Sequence, residues 1–174
     1  APATHTQNAA PVMVAARREH GEVGTYATEM QPSNSRDTRR ARQRAWRADA
    51  AGDAIGRQSE AAGRGADASL QVGPYCNKPS QEGLFRHFMA IADAAEIPIV
   101  LYDVPGRSGV GLSVDTVVRL AAHPRIVAIK VANGSLGFVG AVAGRCDLEI
   151  LSGDDPLTLP MQSLGAVGVI SVLG

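Results

Sequence analysis

The stretch Arg125-Ile-Val-Ala-Ile-Lys130 decides how the rest of the chain is interpreted. Four apolar residues in a row are typical of a strand buried in a parallel sheet. Lys130 would then stand at the carboxyl end of that strand. Because burial disfavours a charged amine, we expect the pKa of Lys130 to be lowered. A neutral amine can form a Schiff base with a carbonyl compound, although a lone lysine at a strand end is more often simply solvated.

Short apolar runs elsewhere in the chain predict four more strands, separated by amphipathic helices. The strands are expected at residues 68–72, 97–104, 148–151 and 168–173, and the central one covers 126–132. Helices are expected to begin after Ser80 and Ser113, which suit helix caps, across 135–145, and from 155 to about 165. Strands that alternate with helices at this spacing form right-handed βα units and a parallel sheet.

Five such strands fit either an open doubly wound sheet or part of a closed (β/α)8 barrel. No glycine-rich phosphate loop follows a strand, which weakens the nucleotide-binding alternative. Polar residues collect instead where the predicted strands end, which is the face where barrel enzymes carry their chemistry. They are Tyr75, Tyr102, Arg107, Lys130, Ser152, Gly153 and Asp154.

Three of these residues suit a carbonyl reaction beside the lysine. Tyr102 ends its strand, and a phenol can relay protons, although an aromatic ring there can also just cap the core. Arg107 lies in the turn-forming stretch 104–109 and suits bidentate binding of a carboxylate, although a loop arginine on the surface is the commoner case. Gly153 lets the backbone approach a ligand closely, but a turn alone also explains a glycine.

The first 64 residues differ in composition from the rest. They hold ten of the fifteen arginines, six of them in residues 36–47, and their large apolar residues follow neither helical nor strand periodicity. We therefore divide the chain into an unmatched Ala/Arg/Gly-rich segment, 1–64, and a partial barrel, 65–174. The first segment is expected to be disordered, or to be a GC-rich gene read in a wrong frame. An arginine-rich arm for nucleic acid is the functional alternative.

The overall charge and composition of the chain exclude further classes of protein. A net charge of zero and 45% hydrophobic residues argue against global disorder and against a general polyanion partner. Cys76 and Cys146 form no metal-binding pattern and favour a reducing compartment. Neither a secretory signal nor an apolar run of membrane-spanning length is found. We expect a cytoplasmic protein that binds neither membrane nor nucleic acid.

Five collinear stretches resemble the dihydrodipicolinate synthase family, also called the 4-hydroxy-tetrahydrodipicolinate synthase family. They are Pro74-Tyr-Cys-Asn-Lys-Pro-Ser-Gln-Glu-Gly-Leu84, Leu101-Tyr-Asp-Val-Pro-Gly-Arg-Ser-Gly109, Val127-Ala-Ile-Lys130, Leu151-Ser-Gly-Asp-Asp155 and Gly168-Val-Ile-Ser-Val172. The fold that the resemblance implies is α/β, a (β/α)8 TIM barrel, of which this chain supplies strands four to eight. The arginine-bearing turn favours the synthase over lysine-dependent relatives such as N-acetylneuraminate lyase.

The resemblance implies a class I condensation of pyruvate with aspartate semialdehyde to 4-hydroxy-tetrahydrodipicolinate, in lysine and diaminopimelate biosynthesis. Lys130 and Tyr102 would be the catalytic residues, as the imine-forming amine and the proton relay. Arg107 would hold the carboxylate of the aldehyde, while Gly153 and Ile170 would line the pyruvate pocket. No metal or organic cofactor is implied. The family assembles as dimers or tetramers, so we expect a homo-oligomer if the chain folds.

Several positions depart from the family pattern. The G-T-T-G-E turn, whose threonine links two catalytic tyrosines, is not found, and Cys76 replaces the second of those tyrosines. Asp103 stands where asparagine is usual, and 131–133 read Val-Ala-Asn where E-A-T is usual. Tyr75 matches a position near the interface where some members bind lysine. In a barrel without its first three strands we expect Lys130 to be hydrated, with a pKa near its ordinary value, and activity to be weak at best.

Three alternatives to the synthase stay open. The chain is also interpretable as a non-catalytic fragment of the family that at most associates with complete subunits. A related pyruvate-dependent aldolase is a second possibility, because such enzymes share the lysine and the tyrosine. An arginine-rich nucleic-acid binder, with residues 65–174 as a passenger, is the third.

Overall fold

The computed structural model describes residues 15–19, 22–26, 50–74 and 78–171. The strands within these ranges form one seven-stranded sheet. An antiparallel pair, β1 and β2, lies at one edge, and the five strands that follow are mutually parallel. The strands are β1 (Ala15–Glu19), β2 (Glu22–Tyr26), β3 (Ser69–Val72), β4 (Ile99–Asp103), β5 (Ile126–Val131), β6 (Glu149–Ser152) and β7 (Ala166–Val169). The order β3-β4-β5-β6-β7 never reverses. A barrel has this order, whereas a doubly wound sheet changes direction at a switch point.

Helices follow each parallel strand up to β6. The helices after the strands are α2 (Gln81–Ala94), α3 (Pro105–Ser108), α4 (Val114–Ala121), α5 (Leu136–Ala143), a 3₁₀ turn (Asp155–Leu157) and α6 (Thr158–Gln162). One further helix, α1 (Ala50–Gly63), precedes β3. The prediction of five parallel strands with helices between them is confirmed. The largest displacement is in the last strand, which was expected at 168–173 and lies at Ala166–Val169.

Three helices begin at serine caps. The Oγ atoms of Ser80, Ser113 and Ser135 accept hydrogen bonds from backbone N–H groups three residues later, at 3.2, 3.2 and 3.1 Å. Each cap pairs an N–H group that the first turn of a helix leaves without a partner, which stabilises the helix by about 1 kcal/mol. The Ser135 cap thus partly offsets the cost of Gly137 and Gly140 inside α5.

Three elements lie in the segment 1–64, where the large apolar residues follow neither helical nor strand periodicity. β1 pairs with β2 and meets β3 at Ala15 and Ser69, and α1 packs against α2. The buried face of α1 carries Ala54, Gln58 and Ala61, at the i, i+4, i+7 spacing of a helix. Alanine and glutamine contribute too little hydrophobicity for this periodicity to be visible in the sequence. The arginine-rich residues 36–47 lie outside the described residues, and the division at 64/65 stays a prediction.

The core lies between the parallel strands and the helices that cover one face of the sheet. Phe88 and Ile91 of α2 pack there with Leu101 of β4 and Ile129 of β5, all of them 1% exposed or less. Successive side chains of a strand point to opposite faces. The neighbouring positions on β4 and β5, Tyr102 and Lys130 among them, therefore lie on the other face of the sheet.

Candidate active site

Tyr102 and Lys130 lie side by side on adjacent parallel strands. They are register partners in the pairing of β4 with β5, and Lys130 Nζ lies 4.4 Å from the centroid of the Tyr102 ring. An amine at this distance over an aromatic face is within the range of a cation–π contact. The sheet itself thus brings an amine and a phenol together near the carboxyl ends of two strands.

Lys130 is buried, with 4% of its surface exposed. Burial lowers the pKa of its amine below the ordinary value, the positive charge of Arg107 lowers it further, and the Asp155 carboxylate acts in the opposite direction. The expectation of a hydrated Lys130 with an ordinary pKa is therefore wrong. β4 and β6 flank β5 on both sides, and Tyr102 on β4 and Gly153 after β6 lie against the lysine and shield it.

Gly153 borders the lysine on the side of β6. A Cβ atom at position 153 would lie 2.7 Å from Lys130 Cε and 3.0 Å from both Lys130 Cγ and the Cβ of Ala132. The backbone N of Gly153 donates to the Val131 carbonyl at 2.8 Å, which extends the parallel ladder one residue beyond β6. Only glycine leaves room for the lysine stem here. The group that lies close to the Gly153 backbone is therefore the Lys130 side chain.

The loop after Gly153 is held by a small hydroxyl network. Ser152, which is fully buried, donates from Oγ to the Asp154 carbonyl at 2.9 Å and accepts from the Asp154 N–H at 3.2 Å. Thr158 Oγ1 donates to Ser152 Oγ at 3.1 Å. These bonds fix the path of the segment that carries Asp155, the carboxylate that acts on the Lys130 pKa.

Arg107 projects from α3, a single helical turn within the stretch 104–109 that the sequence predicts to form a turn. Its N–H and that of Ser108 donate to the Val104 carbonyl at 2.9 and 3.0 Å, and Gly109 ends the turn with a φ of 78°. A positive φ favours glycine, because it has no Cβ atom to clash. The turn leaves the Arg107 guanidinium exposed, and its charge lowers the pKa of Lys130 and opposes the rise that burial causes in the Tyr102 pKa.

A cavity of about 260 Å³ opens at this edge of the sheet. Its lining joins the ends of β4, β5 and β6 and consists of Tyr102, Val104, Arg107, Ala132, Gly153, Asp154, Asp155 and Pro156. Within the described ranges, Lys130 and Ile170 are not part of this lining. Lys130 lies behind it, against Gly153 and Tyr102. Ile170 is tied to the same edge, because its N–H donates to the Ser152 carbonyl at 2.8 Å.

Two acidic residues near the site were not selected as functional residues from the sequence. In the sequence Asp155 only ends the motif at 151–155, and no sequence pattern shows that it faces the lysine. In the sequence Asp103 and Asn133 are two separate departures from the family pattern. In the structure they are hydrogen-bonded partners, with Asn133 Nδ2 2.7 Å from Asp103 Oδ2. Tyr75, Cys76 and Val172 lie outside the described residues.

The arrangement offers a partly desolvated amine, a phenol beside it and an exposed guanidinium at the mouth of one small cavity. In the described part of the chain, no cluster of three or more His, Cys, Asp or Glu side chains could hold a metal ion. None of the helices described is long and apolar enough to cross a bilayer. Such a site can bind a small carboxylate and attack a carbonyl carbon with nitrogen.

Consecutive parallel strands with an amine, a phenol and a guanidinium at their carboxyl ends define a partial (β/α)8 barrel with a lysine-centred site. The chain belongs to the Dihydrodipicolinate synthetase family, whose model matches residues 48–174. The match begins before residue 65, in agreement with the position of α1, which belongs to the same packed unit.

Curated and solved relatives agree with this family. The chain is 57% identical over 110 residues to 4-hydroxy-tetrahydrodipicolinate synthase 2 of Streptomyces coelicolor, covering 63% of this chain and 37% of that protein. The synthase structure from Methylacidiphilum fumariolicum SolV superposes with a TM-score of 0.69 at 51% identity, covering 70% of this chain and 42% of that one. A chloride-inhibited synthase from Acinetobacter baumannii, complexed with pyruvate, gives 0.68 at 48%, covering 71% and 43%. The chain thus spans about two fifths of the length of these relatives.

Proposed function

We propose that this chain carries the lysine-centred half of a pyruvate-condensing lyase. The supporting observation is the position of Lys130, buried between Tyr102 and Gly153 with a lowered pKa, at the edge of a cavity that holds one guanidinium. A relative with 48% identity has been solved in complex with pyruvate, which supports pyruvate as the first substrate. The location in the cytoplasm stays a prediction.

The proposed chemistry begins with attack of Lys130 Nζ on the ketone carbon of pyruvate. A carbinolamine forms, water leaves, and the iminium ion then loses a methyl proton to give an enamine. The enamine carbon attacks the aldehyde carbon of aspartate semialdehyde. The amino group of the adduct then attacks the iminium carbon and displaces the Lys130 amine, which closes the ring of 4-hydroxy-tetrahydrodipicolinate and frees the enzyme. Tyr102 moves the protons of these steps, because its ring already contacts the amine.

The other site residues have binding roles in this proposal. Arg107 holds the carboxylate of the aldehyde at the cavity mouth, since its guanidinium is exposed and lines the cavity. Gly153 makes room for the lysine stem, and Ile170 supports the same edge of the sheet through the hydrogen bond from its N–H to the Ser152 carbonyl. The homo-oligomer and the weak activity expected from the sequence also stay proposals. The chain spans 37–43% of the length of the relatives compared above.

Reductive trapping tests the proposal directly. Incubation with pyruvate and borohydride is expected to add a reduced pyruvate group to Lys130, located by peptide mass spectrometry. Lys78, the only other lysine in the chain, is exposed and serves as the internal control. Equal modification of both lysines, or modification of neither, would reject the proposal in favour of a non-catalytic family fragment.

A second assay separates the synthase from related aldolases. Once trapping succeeds, the chain is offered aspartate semialdehyde and, in parallel, an aldehyde sugar such as N-acetylmannosamine, with pyruvate consumption as the measurement. Because Arg107 presents a fork for a carboxylate, consumption is expected with the semialdehyde and not with the sugar. The opposite preference would assign the site to an aldolase that shares the lysine.

A further inference from the structure

Asp103 is a buried carboxyl group at the end of β4, on the opposite face of the sheet from Tyr102, and 2% of its surface is exposed. Its Oδ1 accepts from the Leu112 N–H at 2.9 Å, and its Oδ2 accepts from Asn133 Nδ2 at 2.7 Å. Its backbone carbonyl accepts from the Ala132 N–H at 2.8 Å. One residue thus connects β4 to the segments that follow both β4 and β5.

Those two segments are the ones that shape the lysine site. The segment from Val104 to Leu112 contains Arg107, and the Leu112–Asp103 bond closes it into a loop with fixed ends. Asn133 comes three residues after Lys130 and two residues after the end of β5. A shift of either contact would therefore move the guanidinium relative to the amine.

We propose that Asp103 is a positioning residue, which holds the Arg107 turn and the end of β5 in the relative placement that the lysine site uses. This inference deepens the proposed function and rests on it. Burying a carboxyl group costs free energy, and two directed hydrogen bonds offset this cost. An apolar side chain could pack at this position without that cost, so packing alone does not explain an aspartate. Burial accordingly raises the pKa of Asp103, against the opposing effect of the bonds from Leu112 and Asn133.

Neighbouring hydrogen bonds fix which residue donates and which accepts in the contact between Asn133 and Asp103. Asn133 Oδ1 accepts from the Ser135 N–H at 2.9 Å, so its Nδ2 must point at Asp103. Position 103 must then supply two acceptors, one for Leu112 and one for Asn133. An asparagine at 103 would oppose its own NH₂ group to that of Asn133, unless position 133 became an acceptor as well.

This geometry allows a double-mutant cycle with Asp103→Asn, Asn133→Asp and the combination of both. The first variant opposes two donors, and the second opposes two carboxylates. The double variant restores every hydrogen bond, because the amide introduced at 103 would donate to the carboxylate introduced at 133, which still accepts from Ser135. Asp93→Asn on α2, a carboxylate paired with His123 at 3.4 Å and mostly exposed, is the matched control.

The measurement is acetylation of Lys130 relative to Lys78 by acetic anhydride over a pH series, located by peptide mass spectrometry. The charged groups that act on the amine are Arg107 on α3 and Asp155 on the 3₁₀ turn, and Tyr102 on β4 packs against it. If the Arg107 turn moves away, Lys130 holds its proton to higher pH. Each single variant is then expected to slow Lys130 labelling about threefold or more, and the double variant to return within about twofold of the parent.

Two outcomes would overturn the inference. One is unchanged Lys130 labelling in both single variants, whatever their melting temperature. The other is a double variant in which Lys130 labelling stays as slow as in the single variants. This result would overturn the inference even if one of the single variants unfolds. The measurement needs no pyruvate, so a successful cycle beside failed borohydride trapping would reject the proposed function and leave the positioning role of Asp103 standing.

Discussion

Gly153 and Lys130 lie so close together that no side chain fits between them: a Cβ atom at 153 would stand 2.7 Å from Lys130 Cε. The glycine follows β6 and the lysine belongs to β5, so the lysine stem passes directly over the backbone of the neighbouring strand. The missing side chain at 153 therefore sets the path by which the amine reaches the cavity.

Gly153→Ala is expected to displace the lysine stem. Pyruvate trapping on Lys130 should fall about a hundredfold, since displacements near 1 Å have effects of that size. The free energy of unfolding should fall by about 1–3 kcal/mol from overpacking. Gly140→Ala in α5 is the control, because no atom lies within 4 Å of a Cβ there, and it should stabilise the chain by about 0.4–1 kcal/mol. Undiminished trapping in Gly153→Ala would contradict the steric argument.

Lys130→Met is expected to abolish trapping and to stabilise the folded chain by about 1–2 kcal/mol at neutral pH, because an apolar side chain avoids the cost of burying a charge. Burial lowers the pKa of Lys130 in the folded chain, so the unfolded chain holds more protons between that lowered pKa and the ordinary value of 10.5. The stability of the parent therefore rises with pH through this window, and the advantage of the variant shrinks.

Urea unfolding at several pH values measures this effect. Lys78→Met, at the exposed lysine, should change stability by about 0.5 kcal/mol or less. A difference between parent and Lys130→Met that grows with pH would show that Lys130 is not penalised by burial.

Tyr102→Phe separates the ring of this residue from its hydroxyl group. The ring stays over the amine, so pyruvate should still be trapped, but exchange of the pyruvate methyl protons with deuterium should slow about a hundredfold. Proton NMR in heavy water follows this exchange without any aldehyde. Phe85→Leu, which removes a ring that stacks with Arg119 at 3.8 Å, is the aromatic control. Exchange at the parent rate in Tyr102→Phe would remove the phenol from the mechanism.

Arg107→Gln is expected to shift the pH dependence of pyruvate trapping on Lys130 to higher pH. The positive charge of Arg107 helps to lower the pKa of Lys130, so its loss leaves more of the amine protonated at a given pH. Use of aspartate semialdehyde should weaken about tenfold or more, the effect of losing a hydrogen bond to a charged group. Arg86→Gln, at an exposed arginine paired with Glu82 at 3.0 Å, should leave both quantities unchanged. A fixed pH profile in Arg107→Gln would show that its charge does not act on Lys130.

The sequence was sufficient for the parallel part of the sheet. Apolar runs such as Ile126–Val131 locate buried strands, and the serines at 80 and 113 locate helix starts through their cap chemistry. The collection of Tyr102, Arg107, Lys130 and Gly153 at one edge follows from parallel strands alone, because their carboxyl ends share that edge.

Side-chain partners across the sheet could not be predicted in the same way. The contact of Asp103 with Asn133 depends on the register between β4 and β5 and on the orientation of one amide, neither of which a local pattern contains. The burial of Lys130 was misjudged because only its immediate neighbours on β4 and β6 determine its hydration, not the completeness of the barrel. α1 was missed because its buried face is built from alanines and a glutamine.

The register that pairs Tyr102 with Lys130 divides the site into a rigid and an adjustable part. Adjacent strands lie about 4.8 Å apart in every sheet, so the amine and the phenol keep their separation whatever happens in the connections. Arg107 and Asp155 stand on those connections, where insertions and substitutions are tolerated far better. Directed evolution of this site can therefore change which aldehyde is accepted by varying 104–112 and 154–158 alone, while the carbonyl-activating pair stays as the sheet and Gly153 place it.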